Sequence, residues 1–139
     1  MDFHFASAWE VVADKFPNRV ATISDDKPLS WQEFERRASC IASLLEEHGL
    51  GPDSKAGLYL HNCSEYQEAQ FGVFKVGGCP INVNYRYKSD ELVYLLDNSD
   101  AEAVFFQSCY AMRIWEIRER LPKVKLFVQI DDDTESLLK

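Results

Sequence analysis

Residues Lys55 to Val83 read KAGLYLHNCSEYQEAQFGVFKVGGCPINV, and this stretch decides the fold. Lys55 to Leu60 is a short apolar run of strand character. A helical segment follows in which Tyr66, Ala69, Val73, Phe74 and Val76 are apolar on several sides, as in a largely buried helix. Gly77-Gly78 stops it, and Cys79 to Val83 forms a second strand. Ser64 and Gln67, three residues apart ahead of the apolar run, predict a capping box at the helix start.

The same rhythm continues toward the C-terminus. Ser89 is expected to cap a helix whose first turn carries Asp90 and Glu91, both favourable at the positive end of a helix dipole. Ala103 to Gln107 is a third strand, and Ser108 precedes a helix with Met112, Trp115 and Leu121 that Pro122 ends. Lys125 to Ile130 is the fourth strand. Strands recurring about every 22 to 24 residues, with a helix between each pair, are consecutive βαβ units. Right-handed crossovers then give a parallel sheet with flanking helices, an α/β doubly wound fold left incomplete.

Upstream, Phe5, Trp9, Val12 and Phe16 mark one face of a helix that Pro17 follows. Val20 to Ser24 reads as a strand and Asp25-Asp26-Lys27-Pro28 as a turn. Ser30 and Glu33 form a second capping-box pair, and Trp31, Phe34, Ala38, Ile41 and Leu45 line one helical face behind it. Gly49 supplies the left-handed C-terminal turn and Pro52 prevents a restart.

Composition narrows the function. Lys+Arg of 15 against Asp+Glu of 23 leaves a net charge of -8, so phosphate backbones and anionic membranes are repelled and nucleic acid is excluded as a partner. No secretory signal opens the chain and no apolar stretch is long enough to span a bilayer, so the expected compartment is the cytosol. Cys40, Cys63, Cys79 and Cys109 make no C-x-x-C pair, and are expected to be reduced, mostly packed thiols.

In α/β sheets ligands bind beyond the carboxyl ends of the strands. His61-Asn62-Cys63-Ser64 offers an imidazole, an amide, a thiol and a hydroxyl near a helix start. It could hold a Cys-His nucleophile, or Ser64 could cap while Cys63 packs and His61 lies at the surface. Asn82 to Lys88 interleaves Tyr85 and Tyr87 with Arg86 and Lys88, which could clamp a phosphate or stack on a base, or simply cover a sheet edge. Gly77-Gly78 ends a helix and lacks a following Gly-Lys-Ser/Thr, so it is a stop with close backbone packing. Asp131 to Asp133 reads as a solvated loop, with Ser136 to Lys139 starting a further helix; His4 and His48 lack partners at ligand spacing, and Trp9, Trp31 and Trp115 are assigned to the core.

Two stretches carry a resemblance. Leu29-Ser30-Trp31-Gln32-Glu33-Phe34 is similar to the "Leu-Ser/Thr-Tyr-x-Glu-Leu" signature of the adenylate-forming superfamily, with Trp31 and Phe34 as conservative departures. Phe74-Lys75-Val76-Gly77-Gly78-Cys79-Pro80-Ile81-Asn82 resembles its "Leu-Lys-Ala-Gly-x-x-x-x-Pro-Leu-Asn" segment, slightly compressed. The likeness runs in order from Phe5 to Asp133, and Asn82 to Tyr87 looks most like fatty-acyl-CoA synthetases.

The resemblance implies an acyl-CoA ligase that uses ATP and Mg²⁺ to adenylate a carboxylic, fatty-type acid, then forms a thioester with coenzyme A. Residues 1–139 would be the N-terminal part of the AMP-binding domain, ending before the phosphate loop and inactive alone. No catalytic, cofactor-binding or metal-ligating residue of the family falls on a position in this chain, and none of these cofactors is expected to bind it alone. An exposed sheet edge would leave the chain marginally stable and open to self-association. The alternatives are a non-catalytic α/β module that pairs with a full-length relative, and an unrelated flavodoxin-like binding domain.

Overall fold

A computed structural model describes residues 4–131. The chain divides into two compact groups, residues 4–54 with 62–79 and residues 55–61 with 80–131.

The first group packs helices α1 (Phe5–Lys15), α2 (Trp31–Glu47) and α3 (Ser64–Lys75) with a hairpin of β1 (Val20–Ser24) and β2 (Lys27–Ser30). Its core is Ala6, Phe34, Ala38 and Phe71, with Trp9, Trp31 and Phe74 packed around them. The Trp9 and Phe71 rings meet edge to face at 5.1 Å, one of the aromatic geometries favoured beyond simple area burial. Helices α2 and α3 approach so closely at Gly72 that a Cβ there would lie 2.5 Å from Ile41 Cγ2. Lys75 joins all three helices, its Nζ 2.7 Å from Glu10 and 2.6 Å from Glu35. Burial opposes its charge, but the hydrogen bonds to Glu10 and Glu35 outweigh that and raise its pKa.

Both long helices of this group stop in the same way. At the end of α2, Gly49 (φ +80°) donates to Glu46 O and Leu50 to Leu45 O. At the end of α3, Gly77 (φ +77°) donates to Phe74 O and Gly78 to Val73 O. These are Schellman endings, in which glycine takes the left-handed position.

The second group is a four-stranded sheet in the order β4-β3-β5-β6, formed by β3 (Lys55–Tyr59), β4 (Cys79–Asn82), β5 (Ala101–Gln107) and β6 (Leu126–Ile130). Residue 79 alone of β4 clusters with the first group. The β3–β5 and β5–β6 pairs are parallel. Strand β5 is buried almost throughout, as expected for a central parallel strand. With α4 (Ser89–Asn98) and α5 (Ala111–Ile117) it encloses a core of Tyr59, Val83, Leu92, Leu96, Val104, Ile114 and Ile117, among others. Each such aliphatic side chain contributes about 1.5–3 kcal/mol relative to exposure. The chain steps outward from β3 to β4 and then returns to the other side for β5 and β6, so the order reverses between β3 and β5. The doubly wound α/β reading holds.

Several local expectations are corrected. The turn is only Asp25-Asp26, both at positive φ (49° and 60°); Lys27 and Pro28 begin strand β2. Pro28 is tolerated there because the hairpin has only two strands and a proline at a strand edge loses no essential bond. Ser64 and Ser89 are the first helical residues rather than caps; Cys63 and Lys88 take the extended N-cap conformation. The Ser64 hydroxyl donates instead to Glu68, and Glu91 accepts the Lys88 N–H at 2.8 Å. Ser30 does cap α2, accepting the Glu33 N–H at 3.2 Å, but the Glu33 carboxylate turns to Arg36 and Arg37.

On α1 the buried stripe is Ala6 and Ala13 beside Trp9, leaving Phe5 and Phe16 exposed, because alanines let the helix approach its neighbours closely. On α5 the inward residues are Ile114 and Ile117, so Trp115 is 63% exposed and lies outside the core, its ring covered by the Arg118 guanidinium. No disulfide forms among the described residues, yet Cys40, Cys79 and Cys109 are exposed rather than packed, since each sits on an outward position of its element.

Candidate functional site

The carboxyl ends of β3, β4 and β5 release three segments: His61, the Val83–Lys88 loop, and the short 3-10 turn Ser108–Tyr110. They converge on His61. Its backbone N–H donates to Gln107 Oε1 at 2.7 Å, and its Nε2 lies 2.6 Å from the Tyr110 hydroxyl in a hydrogen bond. Its ring meets Tyr85 edge to face at 4.4 Å. Tyr110 stacks on Tyr59 at 4.3 Å. Burial, then the neighbouring Cys109 and Tyr59, pushes the Tyr110 pKa up to about 12.

Behind this cluster lies a polar brace. The Tyr59 hydroxyl donates to Tyr87 O at 3.0 Å, while Arg113 Nη1 donates to Tyr59 Oη at 2.6 Å and to Tyr87 O at 2.9 Å. Burial raises the Tyr59 pKa and the Arg113 charge opposes the rise. The loop also turns on itself, with Tyr87 N–H donating to Asn84 O and Arg86 N–H to Asn84 Oδ1, both at 3.0 Å. The cluster presents aromatic faces and hydrogen-bonding groups at the point where the strand order reverses, where α/β sheets place ligands. It holds a histidine and three tyrosines and brings no nucleophile–base–acid set together.

The sequence candidates are therefore split. His61 and Tyr85 join the cluster; Tyr87 supplies its carbonyl to the brace, and Arg86 lies over the Tyr85 ring. Asn62, Cys63 and Ser64 instead line a cavity of about 140 Å³ in the first group, with Thr22, Ile23, Ser24 and Gln67. Thr22 Oγ1 is buried there without a partner among the described residues. Burial pushes the Cys63 thiol up, the opposite of what a cysteine nucleophile requires.

Gly77 and Gly78 spend their N–H groups on α3 carbonyls, and Gly78 packs so closely that a Cβ would lie 2.8 Å from Ser54 O. Among the described residues no group of three or more His, Cys, Asp or Glu could hold a metal ion. His4 precedes α1 without a side-chain capping bond and the His48 Nδ1 lies 2.9 Å from Leu44 O. Asp131 is exposed; the remaining acidic run and the helix expected over 136–139 lie outside the described residues. Gln107, Tyr110, Tyr59 and Arg113 had drawn no notice in the sequence. Tyr59, Gln107 and Tyr110 share one signal, position at or just beyond a strand end; Arg113 lies on α5 and carries no such signal.

Comparison with known proteins supplies the rest. Residues 9–139 match the family described as "AMP-binding enzyme". The 3-oxocholest-4-en-26-oate–CoA ligase of Rhodococcus rhodochrous is 37% identical over 135 residues, covering 97% of this chain and 24% of that protein. A medium/long-chain-fatty-acid–CoA/3-oxocholest-4-en-26-oate–CoA ligase of Mycobacterium marinum is 36% identical, covering 95% and 24%. The structure of the anthranilate CoA ligase AuaEII with anthranoyl-AMP superposes with a TM-score of 0.86 at 21% identity, over 92% of this chain and 25% of that one, which speaks for the fold alone. The chain thus spans about a quarter of the length of the curated relatives it matches. No described helix is long and apolar enough to cross a membrane. On the match over residues 9–139, this chain belongs to the AMP-binding enzyme family.

Proposed function

We propose that residues 1–139 serve as the N-terminal part of the AMP-binding domain of an acid–thiol ligase. This enzyme adenylates a fatty-type carboxylic acid with ATP and Mg²⁺ and passes the acyl group to coenzyme A, in the cytosol. The observation that carries the reading is the family match across nearly the whole chain, in the order of the doubly wound sheet.

The amides of Gly77 and Gly78 are spent on α3 carbonyls, and among the described residues no group of three or more His, Cys, Asp or Glu could hold a metal ion. No chemical step is assigned to this chain. Its own contribution is the scaffold, a sheet whose carboxyl edge is fixed by the Tyr59–Arg113 brace. We assign it no catalytic, cofactor-binding or metal-binding residue and expect no activity from it alone.

The test replaces the matching segment of the Rhodococcus rhodochrous ligase with residues 1–139 and measures AMP release with fatty acid and coenzyme A. Retained turnover is expected; a folded but inactive hybrid overturns the reading. The isolated chain should show no ATP–pyrophosphate exchange, and robust exchange would overturn its assignment as scaffold. A second reading, a non-catalytic module that pairs with a full-length relative, is favoured by the exposure of Met112 and Trp115 together on α5.

A further inference from the structure

We propose that a groove on α4, separate from the His61 cluster, docks a lysine- or arginine-bearing segment of a partner protein. The groove is lined by Tyr87, Asp90, Glu91, Tyr94 and Leu95 and has a volume of about 390 Å³. These positions fall at i, i+3, i+4, i+7 and i+8, one face running from just before the helix through its second turn. The face combines two aromatic rings and an aliphatic side chain with two carboxylates.

Rigidity comes from below. Tyr87 and Leu95 are partly buried against the sheet core, so one wall is held by packing. Glu91 is fixed by the Lys88 N–H at 2.8 Å. Tyr94 stands over the groove 72% exposed, equal with Met112 as the most exposed of the large apolar side chains among the described residues. A cation placed between tyrosine faces and carboxylates gains from both, and an alkyl stem gains from the apolar floor.

Charge selects the occupant. The groove lining carries Asp90 and Glu91 and no lysine or arginine, within a chain of net charge -8. A second copy would bring an acidic surface to an acidic rim, and an anionic membrane would be repelled likewise. The rim already accepts a guanidinium: Arg120 Nη1 lies 3.0 Å from Asp90 Oδ1. With Asp90 and Arg120 both largely exposed, that pair contributes little and can be exchanged for a partner's cation.

The test is an amide NMR titration of the whole ¹⁵N-labelled chain with the peptide acetyl-Gly-Leu-Lys-Gly-Leu-Arg-amide and a twin with glutamine at both cationic positions. The cationic peptide should shift amides of Tyr87 to Leu95 and bind about tenfold more tightly than its twin, with the preference lost at about 0.5 M salt. Tyr94→Ala should weaken binding about threefold, and Asp90→Asn with Glu91→Gln should abolish the preference. All three side chains are exposed, so these variants keep the fold. Equal binding of the twin, or no shift in the groove at millimolar peptide, overturns the proposal. Shifts of the same amides on concentrating the chain alone also overturn it, because the occupant is then a second copy.

Discussion

The Arg113 guanidinium lies 2.6 Å from the Tyr59 hydroxyl, so a cation on α5 holds the last residue of β3 from beside the loop that follows β4. Each partner also reaches Tyr87 O, which makes the loop carbonyl the shared acceptor. Tyr59→Phe removes one donor and leaves the other, and should cost about 1 kcal/mol. Arg113→Met should cost somewhat more, about 1–2 kcal/mol, because a charged donor is lost. Urea denaturation reads the cost. Hydrogen exchange at residues 85–88 reads the loop, and unchanged protection there in both variants would remove the brace.

Gly72 sits where α2 and α3 cross, with Ile41 Cγ2 at 2.5 Å and Ala38 O at 3.1 Å from a Cβ built on it. Gly72→Ala should therefore destabilise by about 1–3 kcal/mol, despite alanine's better helix propensity. Ile41→Ala in the same chain should recover part of the loss relative to the sum of the single changes. Thermal melts of the four-member cycle measure the coupling, and a stabilised Gly72→Ala would contradict the close crossing.

Glu33 accepts hydrogen bonds from Arg36 and then Arg37, which lower its pKa from the usual 4.5 to about 2. A carboxyl whose folded pKa is depressed supports folding above the unfolded value and loses that support as pH falls toward the folded one. The relevant window runs from about 4.5 down to about 2. Carboxyl-carbon NMR should give a midpoint near the lower end, and Arg36→Gln with Arg37→Gln should return it toward 4.5 and shrink the acid-side loss of stability. An unmoved midpoint would show that the arginines are not its cause.

The Asp25-Asp26 turn holds both residues at positive φ, a hairpin geometry that favours Asp-Gly. Asp26→Gly should stabilise by about 0.5 kcal/mol, the relief of left-handed strain exceeding glycine's added chain entropy. Asp26→Val should destabilise, since a branched side chain resists that φ. Chemical denaturation decides; equal midpoints for the two variants would argue against the turn.

What was legible in the residues was whatever depends on local chemistry. Ser30, Gly49 and Gly77 set helix ends through bonds to residues three to five positions away; both glycines act as read, and Ser30 caps α2 without the return bond from Glu33 that a capping box needs. Ser64 and Ser89 misled because the extended N-cap position fell one residue earlier, and a serine at the first helical position looks the same in a linear pattern. Trp115 misled for a related reason: on a seven-residue helix Ile114 and Ile117 suffice to define the buried side. The His61 cluster was half visible. His61 and Tyr85 stood out at strand ends, but Tyr110 and Gln107 arrive from 46 to 49 positions away, and only the parallel pairing of β3 with β5 makes them neighbours.

The endings of α2 and α3 have one more effect. Gly77 O accepts the Asp53 N–H at 3.0 Å and Ser54 O accepts the Cys79 N–H at 2.7 Å. The residues that launch β3 and β4 are thus clamped to each other at the root, where each strand begins. That clamp works as an index mark. Inserting one residue between Ser54 and Lys55, or between Gly77 and Cys79, would not just lengthen a loop; it would rotate the following strand by half its two-residue period and exchange the side chains of its two faces. Length variation at these two junctions should accordingly be far less tolerated than at the Asp25-Asp26 turn, which indexes nothing beyond its own hairpin.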